Sequence, residues 1–591
     1  MLLKNLLKIS VAAIALFAPL KSAAVTNEEL MRAMRDELQR SMNELAVAGL
    51  QKPYYIEYKV TLNNSYAVKS ALGSLVESEE NPYATLSVGV RVGNPQFDNT
   101  NFFDVGLGFF GSSDDEESFS NRRIPIETDY VTLRRELWLA TDAAYKQAAE
   151  LYSKKQSAIQ NRLRTDTTPD FLLLPAARLI DTTAFAPFDA KHFENVLNDV
   201  SAIFKNYPQI SISQVGVEYS PTTTLYVNTE GREFVKNETF TGLEIVAATQ
   251  AADGMPLAQM YSAYSIRPQD LPNRDSLVKA TRNLAEMLFK STTATTLDEP
   301  YSGPVLFEGQ AAAEVFAQIF APNLVTQRAP LSDRGFRDSE RFGAFQNKVG
   351  GRVLPEFLSL KATPRTERFK NTPLVGAYEI DDNGIESKNV NLVEKGFLKT
   401  LLSSRIPTRR IRESNGHERG GAAMLSILEL SSADAKKQMT NVELRKRLLK
   451  MAKDRALPYA IVVKKALNQN ILYTTLYRLT SGDYPFSPSE SKVPVLEVYK
   501  LYPDGREELV RGLEGAGFSV QAFKDIVAVS RDAYALNYLA PAVTSPFITR
   551  GAQYLPSTVI IPDLLFEDGE MRPLEADFPK PPLLPAPMAS K

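Results

Sequence analysis

The chain has 591 residues, of which 44% are apolar and 23% are charged, so it has the composition of a soluble globular protein. It is too long for one ordinary hydrophobic core, and two large domains are predicted. The formal charge is −2, so there is no basic field for nucleic acid, and no nucleic-acid partner is predicted. Cysteine is absent, which excludes disulfides, a thiolate metal site and a cysteine nucleophile.

Residues 1–24 have the pattern of a secretory signal peptide. Lys4 and Lys8 precede an apolar run at residues 9–20, and small residues at 22–24 supply a cleavage site. The run is far shorter than the ~20 residues that span a bilayer, although an uncleaved anchor is the alternative. We therefore expect cleavage after Ala24, a periplasmic or secreted protein, and no membrane span after cleavage.

Residues 25–295 are predicted to form an N-terminal domain of helices and a sheet. Thr26 and Glu29 form a possible capping box for an amphipathic first helix, and a stripe of Leu and Ala predicts a long helix from about Tyr130 to Gln160. β-Branched and aromatic residues predict strands at residues 54–62 and 85–92. The acidic run at residues 112–117 is interpreted as a solvated loop, because its spacing matches no known calcium loop. Further helices are predicted at residues 188–207 and 275–290, strands within 210–240, and a linker at 291–300.

Residues 301–324 are predicted to form a buried strand that runs straight into a helix. Apolar residues recur at helical spacing until Pro322, where the helix is predicted to end. Gln310, Glu314 and Gln318 make the opposite, polar stripe, and Glu314 is expected to be solvated. Glu308 stands between the strand and the helix, where a helix dipole favours a negative charge.

The remaining sequence, residues 300–572, is predicted to form a C-terminal domain rich in short strands. Asn383-Gly384 and Lys395-Gly396 supply the positive-φ positions that tight turns require. Residues 573–591 are a Pro-rich tail that is predicted to be extended. The whole is predicted to be an α+β protein, with an N-terminal helix-and-sheet domain and a C-terminal domain of packed, mostly antiparallel sheets.

These segments resemble the TldD/PmbA family, firmly over residues 303–572 and loosely before them. Residues 376–384 resemble the family's strand with a DD-x-G turn, and residues 391–398 its Leu-Val-Glu-x-Gly-x-Leu hairpin. The family's zinc-bearing members carry His-Glu-x-x-x-His on the helix after the buried strand, with a downstream Cys as a further ligand. In this chain Ala317 stands at the first His, Gln318 at the Glu and Pro322 at the second His. At this junction the chain is closer to the zinc-free PmbA type.

A hydrolytic zinc site needs about three protein ligands and an open position for water. The chain has only His192 and His417, in different halves, and no Cys. No zinc site and no other cofactor is predicted, although zinc is expected in relatives that keep the motif. The candidates for a divergent catalytic site are His417, Glu418 and Arg419, and the simpler interpretation of His417 is a loop residue.

The resemblance implies a division of labour between zinc-bearing TldD-type subunits and PmbA-type subunits that lack the site. We therefore expect an exported, non-catalytic subunit of a peptidase assembly that acts on unfolded or peptide substrates. Its partner would be a second copy or a TldD-type subunit. The alternatives are an active peptidase with a divergent site and a stand-alone peptide-binding scaffold.

Overall fold

The computed structural model describes residues 26–47, 49–103, 119–160, 167–332, 343–468, 471, 492–542, 554–574, 577, 578, 580–582 and 584. The predicted signal peptide and the acidic run at residues 112–117 lie outside these residues, as does much of the predicted tail. None of the helices in the described ranges is long and apolar enough to cross a membrane.

The N-terminal half is built on one sheet, to which the described residues contribute eight strands. Two of them form the edge hairpin, Pro53–Ala71 and Ser74–Asn94, which pairs antiparallel along its length. Strand Ile212–Asn228 then joins the hairpin to strand Arg232–Gln250. The other strands of this sheet are Phe97–Asp98, Arg122–Ile124, Ala177–Ile180 and Pro256–Ser265.

The C-terminal half is built on a second sheet, with twelve strands among the described residues. The junction strand, Tyr301–Phe307, pairs parallel with Ala460–Ala466 and antiparallel with Tyr554–Pro573. Most other pairs are antiparallel. The remaining strands are Leu358–Ala362, Val390–Glu394, Phe397–Leu398, Ile427–Ser432, Gln438–Met439, Lys492–Leu501, Glu507–Val510, Leu513–Ala516 and Ile526–Pro541.

The other strands that the structure describes form three short two-stranded ribbons. Phe102–Phe103 pairs parallel with Leu331–Ser332 and so links the two halves. The other two ribbons lie within the C-terminal half, and they are Arg368–Phe369 with Thr372–Pro373 and Glu418–Arg419 with Ala422–Ala423.

Helices cover the N-terminal sheet in two groups, because each has one apolar face. Helices Asn27–Glu44 and Tyr130–Gln160 share a core with the edge hairpin. Helices Ala190–Ser201 and Arg274–Thr292 share a separate core with strands 212–228 and 232–250. In the C-terminal half, helix Asn441–Asp454 packs on the junction strand, and its capping box at Thr440 and Glu443 is formed. Short 3₁₀ turns span Ala202–Asn206, Pro268–Asp270 and Ala522–Asp525.

The α+β prediction is confirmed, and the long helix spans Tyr130–Gln160 as predicted. The edge hairpin is longer than predicted, because its strands continue to a turn at Leu72 and Gly73, where both φ angles are positive. The outer strand is mostly exposed over residues 74–83, so it lacks the apolar alternation on which the prediction depended.

Candidate functional site

The junction begins at a sharp turn between the junction strand and the helix that follows it. Gly309 adopts φ +51° at this turn, and its N–H donates to Asp563 Oδ1 at 2.8 Å. Glu308, just before it, accepts from Arg445 Nε at 2.7 Å and from Asn441 Nδ2 at 2.8 Å. Glu308 is therefore held in an ion pair, in addition to standing near the helix N-terminus.

The junction helix, residues 310–324, changes geometry twice. It is α-helical at Gln310–Val315, a π-helix at Phe316–Phe320 and a 3₁₀ turn at Ala321–Leu324. The predicted end at Pro322 is therefore wrong, because Pro322 lies within the 3₁₀ turn. A proline has no N–H for an α-helical bond to the carbonyl four residues earlier, and the change of helix type avoids that bond.

The residues predicted to stand at the zinc-motif positions are largely removed from solvent. Ala317 is 4% exposed and belongs to the C-terminal core, and Pro322 is buried. Gln318 is half-buried, and its amide donates to the Leu467 carbonyl at 2.8 Å. These side chains offer no imidazole to a metal ion.

Glu314 is the main correction to the sequence interpretation, because it is 2% exposed and not solvated. Gln318 Nε2 donates to Glu314 Oε2 at 3.0 Å, Gln310 Nε2 lies 3.4 Å from Oε1, and the Asn468 side chain also bonds to this carboxyl. Gln310 also exchanges hydrogen bonds with the backbone of Ala466. Burial raises the pKa of Glu314 to about 7. A polar helix stripe normally faces solvent, so the sequence carried no signal for this network.

Tyrosines from both halves lie within the electrostatic influence of the Glu314 carboxyl. Its charge contributes to raising the pKa values of Tyr264, from the N-terminal half, and Tyr538, from the C-terminal half, although burial is the larger cause for both. Asn537 connects these strands, because its amide donates to the Tyr264 carbonyl at 3.1 Å. Tyr538 Oη is buried and has no hydrogen-bond partner among the described residues. The junction is thus a polar, tyrosine-lined region where the two halves meet.

His417 is completely buried, and its Nδ1 lies 3.0 Å from the carbonyl oxygen of Asn415. Burial lowers the pKa of His417 to about 4, so the ring is neutral near pH 7. Arg419 is 7% exposed and donates to the carbonyls of Leu425 and Pro556 at 3.1 and 2.9 Å. Both side chains have the surroundings of structural residues.

Glu418 lies beside the acidic turn at residues 381–384. Its N–H donates to Asp381 Oδ2 at 3.2 Å, and the Asp382 N–H donates to the Glu418 carbonyl at 2.8 Å. Burial and the charge of Asp381 raise the pKa of Glu418 to about 7, and burial raises that of Asp381 to about 6. The structure therefore brings the candidate Glu418 together with the DD-x-G turn, and this pair can hold or release protons near neutral pH.

The same turn docks on the N-terminal half. Asp382 Oδ1 lies 3.4 Å from Lys236 Nζ, and Arg232 Nε donates to the Asn383 carbonyl at 3.0 Å. Gly384 has φ +68°, and a Cβ added there would lie 2.9 Å from the Phe234 ring. Gly384 is therefore needed both for the turn and for this close contact.

The residues present do not fit a zinc ion. No group of three His, Asp or Glu side chains within the described ranges could hold a metal. His192 lies at the start of helix Ala190–Ser201, in the other half from His417. Gln318, with an amide in place of a carboxylate, is not a usual zinc ligand.

The comparisons with known proteins agree with this architecture. Residues 300–571 match the family model described as the PmbA/TldA metallopeptidase C-terminal domain. No curated protein sequence matches the chain.

Three solved structures share the fold over nearly the whole chain. A proposed modulator of a DNA gyrase from Thermotoga maritima is 13% identical with a TM-score of 0.57, covering 92% of this chain and 100% of its own. TldE from Thermococcus kodakarensis is 12% identical with a TM-score of 0.52, covering 91% and 100%. A proposed modulator of DNA gyrase from Bacteroides thetaiotaomicron is 11% identical with a TM-score of 0.53, covering 93% and 100%. The family model shows that the C-terminal half, residues 300–571, belongs to the TldD/PmbA family, and the three structures show that the chain as a whole has their fold.

Proposed function

We propose that this protein is an exported, zinc-free subunit of a peptidase assembly that holds peptides or unfolded polypeptides without cleaving them. The observation that carries the proposal is the chemistry of the junction helix. Ala317 and Pro322 stand where the resemblance predicts the two His ligands, and neither has a donor atom in its side chain, while Gln318 stands where it predicts the Glu. A metal-bound water, the nucleophile of a zinc peptidase, has nothing to hold it there.

The hydrogen bonds of the junction favour a structural role for its polar stripe. Gln310 and Gln318 bond to residues 466 and 467 at the end of strand Ala460–Ala466. Glu314 is tied to the same amides, and burial keeps its pKa high, so it is a poor general base below neutral pH. The junction helix is thereby hydrogen-bonded to the end of strand Ala460–Ala466.

The proposed assembly rests on the family. One structure with the same fold is a TldE protein, and TldE-type and TldD-type chains belong to one family. A TldD-type subunit or a second copy of this chain is therefore the proposed partner. Export rests on the signal-peptide pattern of residues 1–24.

The test is metal analysis of the purified mature chain, residues 25–591, together with peptidase assays. We expect less than about 0.1 zinc per chain, and no cleavage of an unfolded substrate such as reduced casein, because the ligands are missing. A stoichiometric zinc atom that is lost together with peptidase activity on chelation would overturn the proposal. The site of cleavage is read from the N-terminal sequence of the exported protein.

A second candidate function is an active peptidase with a divergent site at His417, Glu418 and Arg419. The observation that favours it is the pair Asp381 and Glu418, whose pKa values of about 6 and 7 suit proton transfer near neutral pH. His417→Ala is a poor test, because the ring is completely buried and its loss leaves a cavity. Glu418→Gln keeps the shape and removes the titrating group. If the wild type cleaves peptides and Glu418→Gln does not, the hypothesis of a divergent active site is supported. Equal activity of the wild type and Glu418→Gln would contradict it.

A third reading is a stand-alone scaffold. The oligomeric state of the purified protein distinguishes this hypothesis from the hypothesis of a subunit in an assembly. A homogeneous monomer that binds extended peptides and captures no TldD-type subunit would favour the scaffold.

A further inference from the structure

Among the residues that the structure describes, the two helix groups of the N-terminal half leave part of the sheet uncovered. Helices 27–44 and 130–160 pack over the hairpin at Val60 and Leu86, and helix 190–201 packs over it at Val68. Alternate residues of a strand share a face, so Leu62, Asn64 and Tyr66 lie on the same face between these two contacts. The gap between the helix groups is a groove of about 430 Å³.

Aromatic rings and prolines line this groove. Tyr66 stacks on Phe188 at 5.2 Å between ring centroids, and Phe188 stacks on Tyr219 at 5.7 Å. The groove is lined by Leu62, Asn63, Asn64, Tyr66, Pro82, Tyr83, Ala84, Ile126, residues 185–188, Tyr219, Pro221 and Thr223. None of these residues carries a formal charge. The size and the apolar, aromatic lining are those of sites that bury apolar groups of a ligand.

Two large apolar side chains of the groove lining are exposed. Ile126, which follows strand Arg122–Ile124, is 58% exposed, and Phe185, which precedes helix 190–201, is 38% exposed. Exposed apolar groups that converge on a concave surface mark interaction sites.

The groove opens beside a free strand edge. Strand Ser74–Asn94 pairs with strand 122–124 only at residues 84–86, so residues 74–83 have no outer partner among the described residues. Pro82 and Tyr83 belong to both this edge and the groove. An unpaired edge offers backbone N–H and C=O groups to a further strand.

The edge is acidic. Glu77, Glu79 and Glu80 lie on it, and Glu79 and Glu80 are exposed. Glu77 is paired with Lys69, and Glu80 accepts from Tyr66 Oη at 2.9 Å, at the border of the groove. Acidic carboxylates attract basic side chains and oppose the anionic headgroups of a membrane.

We propose that this groove and edge bind an extended peptide whose apolar side chains alternate with lysine or arginine. The peptide adds as a strand along residues 74–83, its apolar side chains enter the groove, and its basic side chains meet the glutamates. This inference rests on the proposed function, since it names the class of polypeptide that the subunit holds, and it places that binding on the N-terminal half, away from the junction.

The test uses the full mature chain and a fluorescein-labelled peptide of sequence Lys-Leu-Lys-Phe-Lys-Leu-Lys, with binding read by fluorescence polarisation. Ile126→Glu should weaken binding at least about tenfold, because it sets a carboxylate against the apolar side chains of the peptide. Val442→Glu is the matched control, since Val442 is 61% exposed on helix 441–454, outside the groove, and it should change the affinity less than about twofold. Phe185→Ser, at the second exposed apolar position of the lining, should weaken binding as Ile126→Glu does.

Charge and position are tested separately. Glu79→Lys should weaken the binding of the basic peptide. A peptide with glutamate in place of every lysine should bind the wild type poorly. A photo-crosslinking group at the phenylalanine should label residues 62–66, 82–84 or 185–188.

Three results would overturn the proposal that this groove and edge bind an extended peptide. They are equal affinity of all variants, crosslinks at the junction tyrosines Tyr264 or Tyr538 instead, or an Ile126→Glu variant that only converts a self-associated protein to monomers. Crosslinks at the junction leave the proposed function standing, whereas stoichiometric zinc with peptidase activity overturns the proposed function whatever the groove binds.

Discussion

The Gln318 amide donates a hydrogen bond to the Glu314 carboxylate at 3.0 Å, across the point where the junction helix changes from α to π. Gln318 is the residue that the resemblance to the family predicts at the position of the motif Glu. A side chain that would act on a metal-bound water in a zinc peptidase is here an amide that fixes a buried carboxyl.

Glu314→Gln should remove a pH dependence of stability. Burial raises the pKa of Glu314 from 4.5 to about 7, so the folded state holds this proton more tightly than the unfolded state does. The resulting stabilisation is complete below about pH 4.5 and is lost as the pH rises through about 7. Between pH 5 and pH 8 the wild type should lose about 2 kcal/mol more unfolding free energy than the variant. Urea unfolding at both pH values measures this difference.

Glu356→Gln is the control for that comparison, because Glu356 is exposed in the same half of the chain. It should leave the pH dependence of the wild type unchanged. Parallel curves for the wild type and Glu314→Gln would mean that the Glu314 carboxyl titrates as a solvated group.

The long helix could be predicted, at about its observed bounds, because its signal is local. Leu133, Leu137, Ala140 and Ala144 recur at helical spacing, and all of them are buried against the edge hairpin. The same kind of pattern misled at the junction. Glu314 lies on a polar stripe, but the groups that bury it, such as Asn468, come from a strand end about 150 residues away. Periodicity identifies the polar face of a helix, but it does not identify the groups that pack against that face.

The turn residues of the C-terminal half were predictable, but their role was not. Gly384 and Gly396 have positive φ angles, as the turn chemistry indicates. That Gly384 touches Phe234 of the other half is a tertiary contact that no local pattern contains. The pairing of Glu418 with Asp381 was likewise not foreseen, although both residues belong to segments that resemble the family.

Arg405→Met should destabilise the protein by about 3 to 5 kcal/mol, because it leaves a buried carboxylate without its partner. Arg405 is 1% exposed and Glu230, in the other half, is 9% exposed; their atoms Nη2 and Oε1 are 2.8 Å apart. The guanidinium also lies 3.8 Å from the centre of the Phe171 ring. Urea unfolding measures the loss. The double variant Arg405→Met, Glu230→Gln should recover part of it, and a double variant no more stable than the single would contradict this account.

Gly384→Ala should destabilise the protein more than Gly350→Ala. Both glycines have positive φ angles, +68° and +89°, so each alanine costs about 1 kcal/mol in the backbone. A Cβ at Gly384 would also meet the Phe234 ring at 2.9 Å, whereas a Cβ at Gly350 meets nothing within 4 Å. The clash should add about 1 to 3 kcal/mol at Gly384. Equal melting temperatures of the two variants would show that the contact between the halves yields without cost.

The triple change Ala317→His, Gln318→Glu and Pro322→His should not restore zinc binding. Ala317 is buried in the C-terminal core and Pro322 is also buried, so two imidazoles there are overpacked and lack partners, at a cost of about 1 to 3 kcal/mol each. The new carboxylate at position 318 would replace the amide that lies 3.0 Å from Glu314 Oε2, so a hydrogen bond becomes a repulsion. No cysteine is available as a further ligand. Metal ligands also need neighbouring side chains that orient them by hydrogen bonds, and the triple change adds none. The variant should therefore melt below the wild type, at the same temperature with and without zinc. A triple variant that melts like the wild type and gains several degrees from zinc would mean that the architecture of the site persists, and the non-catalytic subunit would then be a recently silenced enzyme.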